Sequence, residues 1–112
     1  MTDTPQPLRG MPLWRAWMGW VTAGEVVGFA IPALVGSVAA TAMAGARLPA
    51  FLAAGAAEGA VLGYAQSRVL RRALVTFSPL RWIIATASGA VVAWSAGLAP
   101  ARPSPVPRWC AC

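Results

Sequence analysis

The chain has 112 residues, and only 11% of them are Asp, Glu, Lys or Arg, whereas a soluble globular domain carries roughly 25%. Hydrophobic residues make up 58% of the chain, the mean hydropathy is +0.62 and the net charge is +6. There is no His, and the only acidic residues are Asp3, Glu25 and Glu58, so metal clusters, His-based triads and paired-carboxylate hydrolase sites lack the side chains they need. We therefore expect a small all-α integral membrane protein that is not an enzyme and binds no metal or cofactor.

Three apolar runs are each about long enough to cross a ~30 Å hydrocarbon core as a helix. We predict transmembrane helices over residues 18–44, 49–67 and 81–99, within a helical membrane domain of residues 14–99. Pro32 lies inside the first run, where a membrane helix tolerates proline as a kink, and Pro49 suits the first turn of the second helix. Residues 1–13 and 100–112 are rich in proline and lack periodicity, so we predict two disordered tails.

A signal peptide is the alternative interpretation of residues 1–44, because Ala42-Met43-Ala44 fits an A-x-A cleavage pattern. The apolar region is too long for a signal peptide, and it contains Glu25. A-x-A also arises easily in an Ala-rich chain. A first transmembrane helix is therefore the favoured interpretation.

The nine basic residues are all Arg, and they lie at the edges of the apolar runs. Such positions are typical of topology signals and not of a basic face that binds nucleic acid, so we expect no nucleic-acid partner. One side of the membrane would hold six of them, namely Arg9, Arg15, Arg68, Arg71, Arg72 and Arg81. The other side would hold three, namely Arg47, Arg102 and Arg108.

This asymmetry predicts that the N-terminus is inside and the C-terminus outside. The aromatic residues agree, because five of them fall at the predicted inner interface, namely Trp14, Trp17, Trp20, Tyr64 and Trp82. The lipid bilayer is thus the first expected partner. Four of the inner arginines are also expected to contact anionic lipid headgroups, namely Arg68, Arg71, Arg72 and Arg81.

Small side chains recur every four residues in each predicted helix. In lipid no hydrophobic force drives helices together, so small residues that let backbones approach closely provide the packing. An Ala- and Gly-rich chain also produces such stripes by chance, most easily in the third run. The pattern predicts a compact bundle, a homo-oligomer or association with partner membrane helices. The candidate packing residues are Gly24, Gly28, Gly36, Gly55, Gly59, Gly63 and Gly89.

Glu25 and Glu58 are the only acidic residues within the apolar runs, and Gln66 lies two turns after Glu58 on the same broad face. A carboxyl group at membrane depth costs several kcal/mol unless it is protonated, paired or hydrated, which makes it a candidate functional group. The favoured interpretation is an interhelical hydrogen bond in a structural or accessory bundle. The alternative is a proton- or cation-coupled transporter or channel built around these carboxyl groups. Three helices are too few to enclose a path, so the alternative requires an oligomer.

A longer motif begins in the second predicted helix and reads Gly59-Ala-Val-Leu-Gly63-Tyr-Ala-Gln66-Ser-Arg-Val69-Leu70-Arg71-Arg72. After a short loop, Arg81-Trp82-Ile-Ile-Ala85-Thr86 opens the third helix. Over roughly residues 14–99 the chain resembles a family of uncharacterised bacterial multi-spanning membrane proteins with a G-x-x-x-G-x-x-Q-x-x-V-L-R-R element. The resemblance implies a multi-pass protein of the bacterial inner (plasma) membrane, and it implies no activity. Members usually carry a second such unit, so we interpret residues 100–112 as a truncated or frameshifted end.

Overall fold

The computed structural model describes residues 6–41 and 44–100, and in this part of the chain all regular structure is α-helical. It contains helices α1 (Gly10–Ala39), α2 (Ala44–Ala73) and α3 (Pro79–Leu98). The prediction of an all-α chain with three helices is therefore confirmed. Residues 1–5, 42–43 and 101–112 lie outside the described residues, and with them most of the predicted C-terminal tail, Arg102, Arg108 and most of the A-x-A pattern.

Helix α1 begins and ends earlier than predicted. It starts at Gly10, inside the stretch 1–13 that was expected to be disordered, and it ends at Ala39 instead of residue 44. Pro12 does not prevent the early start, because a proline in the first helical turn has no intrahelical N–H bond to lose. At the other end, the Thr41 hydroxyl donates a hydrogen bond to the Val38 carbonyl, and Arg47 of α2 reaches back to the Ala40 carbonyl. The last carbonyls of α1 thus find donors in the turn.

Helix α2 is longer than predicted at both ends. It begins at Ala44, so Pro49 lies inside it and not in its first turn. It continues to Ala73, which places Arg68, Arg71 and Arg72 on the helix, whereas the sequence predicts a helix that ends at residue 67. Arginine is a good helix former, and positive charge near a helix C-terminus is favourable. A short loop, residues 74–78, then leads to α3, which opens with Pro79 in its first turn.

Helix α2 lies between the other two helices. It packs against α1 along one seam and against α3 along another, whereas α1 and α3 do not pack against each other in the described part of the chain. Helix α3 consequently has no fully buried residue, and α1 buries only Gly24, Gly28, Pro32 and Ala39. The small residues of α2 make up most of the buried interior, namely Ala54, Gly55, Gly59, Gly63, Ala65, Ser67 and Val69.

Large apolar side chains remain exposed on all three helices, including Phe29 (61%), Val38 (70%) and Val92 (68%). A monomeric soluble protein rarely exposes apolar surface of this extent. Two helices, α1 and the Gly45–Ala73 part of α2, are long and apolar enough to cross a membrane, and only 17% and 28% of their most apolar stretches are buried. Helix α3, the third predicted span, is not among the helices that meet this measure.

The seam between α2 and α3 allows a matched test of glycine packing. A Cβ on Gly59 would lie 2.8 Å from the Ala87 Cα and 2.9 Å from the Thr86 carbonyl oxygen, whereas a Cβ on Gly89 would meet nothing within 4 Å. Because backbone atoms cannot move aside cheaply, we expect Gly59→Leu to lower the free energy of unfolding by about 2 kcal/mol or more. Gly89→Leu should change it by less than about 0.5 kcal/mol. Unfolding of both variants in detergent micelles measures the difference, and equal effects would contradict the seam.

Candidate functional site

The seam between α1 and α2 is formed by glycines of α1 that face α2. A Cβ on Gly24 would lie 2.7 Å from the Ala65 Cβ, and one on Gly28 would lie 3.4 Å from both the Cγ and the carbonyl oxygen of Glu58. Further along, Gly36 faces the ring of Phe51, with 3.5 Å between the Cβ position and Cζ. Pro32, which lies four residues after Gly28 in the same stripe of small residues, is also buried. The stripe of α1 therefore brings the two backbones close together.

The seam between α2 and α3 uses the glycines on another face of α2. Gly55 lies against the indole of Trp94, and Gly59 lies against Ala87 and Ala90. A Cβ on Gly63 would be 3.0 Å from the Ile83 Cα. Six of the seven predicted packing glycines thus lie at the two seams.

The third stripe has a different position. It lies on α3 and consists of Ala85, Gly89, Ala93 and Gly97, which are all exposed. A Cβ on Gly89 or Gly97 would meet no atom within 4 Å. Gly89 therefore does not pack against α2. Spacing alone shows that these residues share one face of α3. It does not show which face meets α2. That face is formed by Ile83, Thr86, Ala87, Ala90 and Trp94.

Glu58 is a half-buried residue of α2 that contacts both neighbouring helices. Its Cγ lies beside Gly28 of α1, and its Oε2 accepts a hydrogen bond of 2.9 Å from the indole N–H of Trp94 on α3. The Trp94 ring also stacks on Phe51, with ring centroids 5.7 Å apart and 21° between the planes. We call Gly28, Phe51, Gly55, Glu58 and Trp94 the Glu58 cluster. It is the place where one polar side chain links all three helices.

Gln66 makes a second polar link between α2 and α3. Its Oε1 accepts a hydrogen bond of 2.8 Å from the indole N–H of Trp82, whose ring lies 6.0 Å from that of Phe77. Glu58 and Gln66 thus each bond to a different Trp of α3. The sequence predicts Trp82 at the membrane interface and gives no such position for Trp94. The available signal was an indole N–H within an apolar run, because such a donor requires an acceptor.

Glu25 is placed apart from the Glu58 cluster. Its side chain is exposed, and within residues 6–41 and 44–100 it takes part in no hydrogen bond or ion pair. It follows the buried Gly24, so its position lies about 100° around α1 from that glycine, at the side of the seam. The structure therefore does not join Glu25 and Glu58 in one hydrogen-bonded group. No three His, Cys, Asp or Glu residues gather as a metal site in the part of the chain that the structure describes.

The candidate headgroup arginines lie around the loop that joins α2 to α3. Arg68 is partly buried, with its guanidinium carbon 5.4 Å from the centroid of the Trp20 ring. Arg71 and Arg72 are exposed in the last turn of α2, and Arg81 is exposed near the start of α3. The chain before α1 also reaches this end, since the Leu8 N–H donates a hydrogen bond of 3.0 Å to the Arg72 carbonyl. Four of the described arginines thus gather at one end of the helices.

Comparisons with protein-family models, with curated proteins and with solved structures found no match for this chain. The interpretation of the site therefore depends on the contacts within the chain itself. Those contacts show an all-α chain in which one central helix joins two others, with two helices that could cross a membrane.

The hydrogen bond between Glu58 and Trp94 can be measured by a double-mutant cycle. Trp94→Phe removes the N–H donor and keeps a ring to stack on Phe51, whereas Glu58→Ala removes the acceptor. We expect a coupling energy of about 0.5–2 kcal/mol from unfolding in detergent micelles. Glu58→Gln keeps a carbonyl acceptor and should retain most of the wild-type stability.

Glu25→Ala is the matched control for this cycle, because it also removes a carboxyl group from an apolar stretch. With no partner to lose among the described residues, Glu25 should show no coupling to Trp94→Phe. Purely additive effects of Glu58→Ala and Trp94→Phe would show that the bond contributes nothing to stability.

Proposed function

We propose that this protein is a multi-pass integral membrane protein of the bacterial inner (plasma) membrane that serves as a structural or accessory helical bundle. The observation that carries the proposal is the distribution of side chains between seams and surface. The seams hold glycines and the hydrogen-bonded side chains of Glu58 and Gln66, whereas large apolar side chains such as Phe29 and Val92 face outward. This arrangement suits a lipid environment. Lipid chains solvate the apolar outer surface, so membrane helices associate through close packing and hydrogen bonds.

In this proposal α3 is the third span, although its composition is less apolar than that of α1. Its 20 residues give a length of about 30 Å, which equals the thickness of the hydrocarbon core. After Arg81 it carries no charged residue. The indole N–H groups of Trp82 and Trp94 are both bonded to α2, which lowers the cost of placing them in lipid.

The role of Glu58 in the proposal is to hold helices together. Its carboxyl group has a partner on α3 and its stem lies against α1, as expected for a polar link between membrane helices. Glu25 is exposed and separate, so it does not complete a two-carboxylate pathway with Glu58 inside one chain. The resemblance of the Gly59–Arg72 element to multi-spanning bacterial membrane proteins agrees with the proposal. The exposed small-residue stripe of α3 would let a second copy or a partner helix approach closely.

Accessibility to a membrane-impermeant maleimide tests the proposed orientation, with the N-terminus inside. In a background with Cys110→Ser and Cys112→Ser, we compare Thr41→Cys after α1 with Ser78→Cys before α3. Both positions are exposed in the turns between helices. We expect labelling of Thr41→Cys in intact spheroplasts and labelling of Ser78→Cys only after lysis. The reverse pattern would invert the topology, and labelling of both in intact spheroplasts would exclude a span between them.

A flux assay separates the structural role from the ion-coupled alternative. We expect vesicles that contain the purified protein to pass protons and monovalent cations no faster than empty vesicles. The Glu58→Gln and Glu25→Gln variants provide the comparison. Flux that appears in the wild type and is lost in Glu58→Gln, but not in Glu25→Gln, would replace the structural role with an ion-coupled one.

A further inference from the structure

The two seams lie on neighbouring faces of α2. Glu58 meets Gly28 of α1. The next residue, Gly59, meets Ala87 and Ala90 of α3. Consecutive residues differ by about 100° around a helix, so α1 and α3 lie about 100° apart around α2. They do not pack against each other among the described residues. An open cleft therefore lies between α1 and α3, with α2 as its floor.

Glu25 lies on the side of α1 that is turned toward this cleft. Arg68 follows Gly59 by nine residues, so the two point in opposite directions from the α2 axis. The Arg68 guanidinium lies over the Trp20 ring, so Trp20 marks the side of α1 that is turned away from α3. Glu25 lies about 140° around α1 from Trp20, on the other side of the seam glycines. It is therefore on the α3 side.

A contact further along α1 leads to the same placement. Gly36 follows Glu25 by eleven residues and lies within about 20° of it around α1. Gly36 meets the Phe51 ring, and that ring stacks on Trp94 of α3. The face of α1 that carries Glu25 is thus the face turned toward α3. Glu25 is exposed on this wall of the cleft, and its carboxyl group has no hydrogen-bond partner in the part of the chain that the structure describes.

Gly89 and Ala93 form the facing wall of the cleft on α3. Both lie within about 20° of Trp82 around the helix. Trp82 bonds to Gln66, which lies about 60° around α2 from Gly63, on the side of the cleft. Gly89 and Ala93 are exposed, and a Cβ on Gly89 would meet no atom within 4 Å. This wall therefore allows the backbone of another helix to approach closely.

A carboxyl group that faces lipid requires a partner, and the cleft leaves room for one. We propose that α1 of a second copy occupies the cleft, so that the Glu25 carboxyl groups of the two copies hydrogen bond across a two-fold axis along the membrane normal. The proposal rests on the proposed membrane location and names the partner that completes this surface. Such an axis keeps both Glu25 side chains at one depth and preserves the orientation of each chain. A protonated carboxyl group both donates and accepts, so the pair is self-complementary.

The outer face of α1 fits the α3 wall of the cleft. It lies opposite Gly28, and it carries five exposed small residues, namely Gly19, Ala23, Ala30, Ala33 and Ser37. In the two-fold arrangement this face of the second α1 packs on Gly89 and Ala93. Their depths agree, because Gly28 and Ala90 contact consecutive residues of α2. The same contact repeats on the other side of the axis, so the interface closes as a dimer.

Disulfide formation in membranes tests the position of the second copy. In the background Cys110→Ser/Cys112→Ser, Phe29→Cys places a thiol one turn after Glu25 on the cleft side of α1. Val27→Cys places a thiol on the opposite side of the same seam. The two native side chains are similarly exposed, at 61% and 58%.

We expect oxidation with copper phenanthroline to link Phe29→Cys into a dimer roughly tenfold faster than Val27→Cys, because only the first pair of thiols meets across the axis. Equal rates would overturn the proposal. A Phe29→Cys adduct with a different protein would assign the cleft to that protein instead.

Sedimentation equilibrium in a density-matched detergent tests the polar contact. Glu25→Ala removes the hydrogen-bonded pair and should raise the dimer dissociation constant roughly tenfold. Glu25→Gln keeps a donor and an acceptor, so its dissociation constant should stay within about threefold of wild type. A wild-type chain that stays monomeric at every concentration, or a Glu25→Ala variant that dimerises like wild type, would contradict the pair.

The α3 wall is tested in the same way. Ala93→Leu fills the wall and should raise the dissociation constant roughly tenfold. Ser88→Leu is the matched control, because Ser88 is exposed on the side of α3 away from the cleft, and it should stay within about threefold of wild type. Equal effects of the two substitutions would place the second copy elsewhere. Melting of each variant in detergent confirms that it is folded.

Extraction of membranes with alkaline carbonate distinguishes the two proposals. A chain that is released from the membranes would contradict the proposed membrane location itself. A chain that is retained, and whose Phe29→Cys variant forms no dimer, would contradict only the paired arrangement.

Discussion

The close approach of two helices to α2 is the constraint on which the rest of the structure depends. Helix α2 must present a small surface on two faces at once, and it does so with glycines toward α3 and with Ala65 and the stem of Glu58 toward the glycines of α1. A single added methyl group at Gly59 would meet backbone atoms of α3. Phe51, Ile83 and Trp94 fit against the glycines at the seams. Many other large apolar side chains, such as Phe29 and Val92, lie on the outer surfaces of α1 and α3.

Polar groups at the seams also fix the orientation of α3 relative to α2. Glu58 and Gln66 both accept from indole N–H groups, so each bond fixes the rotation of α3 relative to α2 as well as its distance. Hydrogen bonds between membrane helices contribute modestly to stability, about 0.6 kcal/mol on average. Their larger effect here is on specificity, because a rotated or shifted α3 would separate both indole N–H groups from their acceptors on α2.

The three helices and most of their packing residues could be predicted from the sequence, whereas the partner of each face could not. Glycines four residues apart, such as Gly55, Gly59 and Gly63, mark a face of one helix by geometry alone. The same spacing in α3 marks a face that points outward. Spacing does not distinguish the two cases, because the side of a helix that meets its neighbour depends on how all three helices pack together. The end of α2 at Ala73 also differs from the prediction. The charges of Arg68, Arg71 and Arg72 indicate the end of an apolar span, but they do not end the helix, because arginine favours helical structure. The bond from Trp94 to Glu58 joins residues 36 positions apart, and no local pattern encodes it.

The absence of packing between α1 and α3 in the described chain has a consequence for how the molecule assembles during synthesis. Each seam joins helices that are consecutive in the chain, so every interhelical contact belongs to one of two helical hairpins. Chains with such local contacts fold quickly, and the first hairpin is complete before the second has to form. Helix α1 can thus close on α2 while α3 is still being made, and α3 then adds to a finished pair. The order of the helices along the chain is also the order in which the fold can be built.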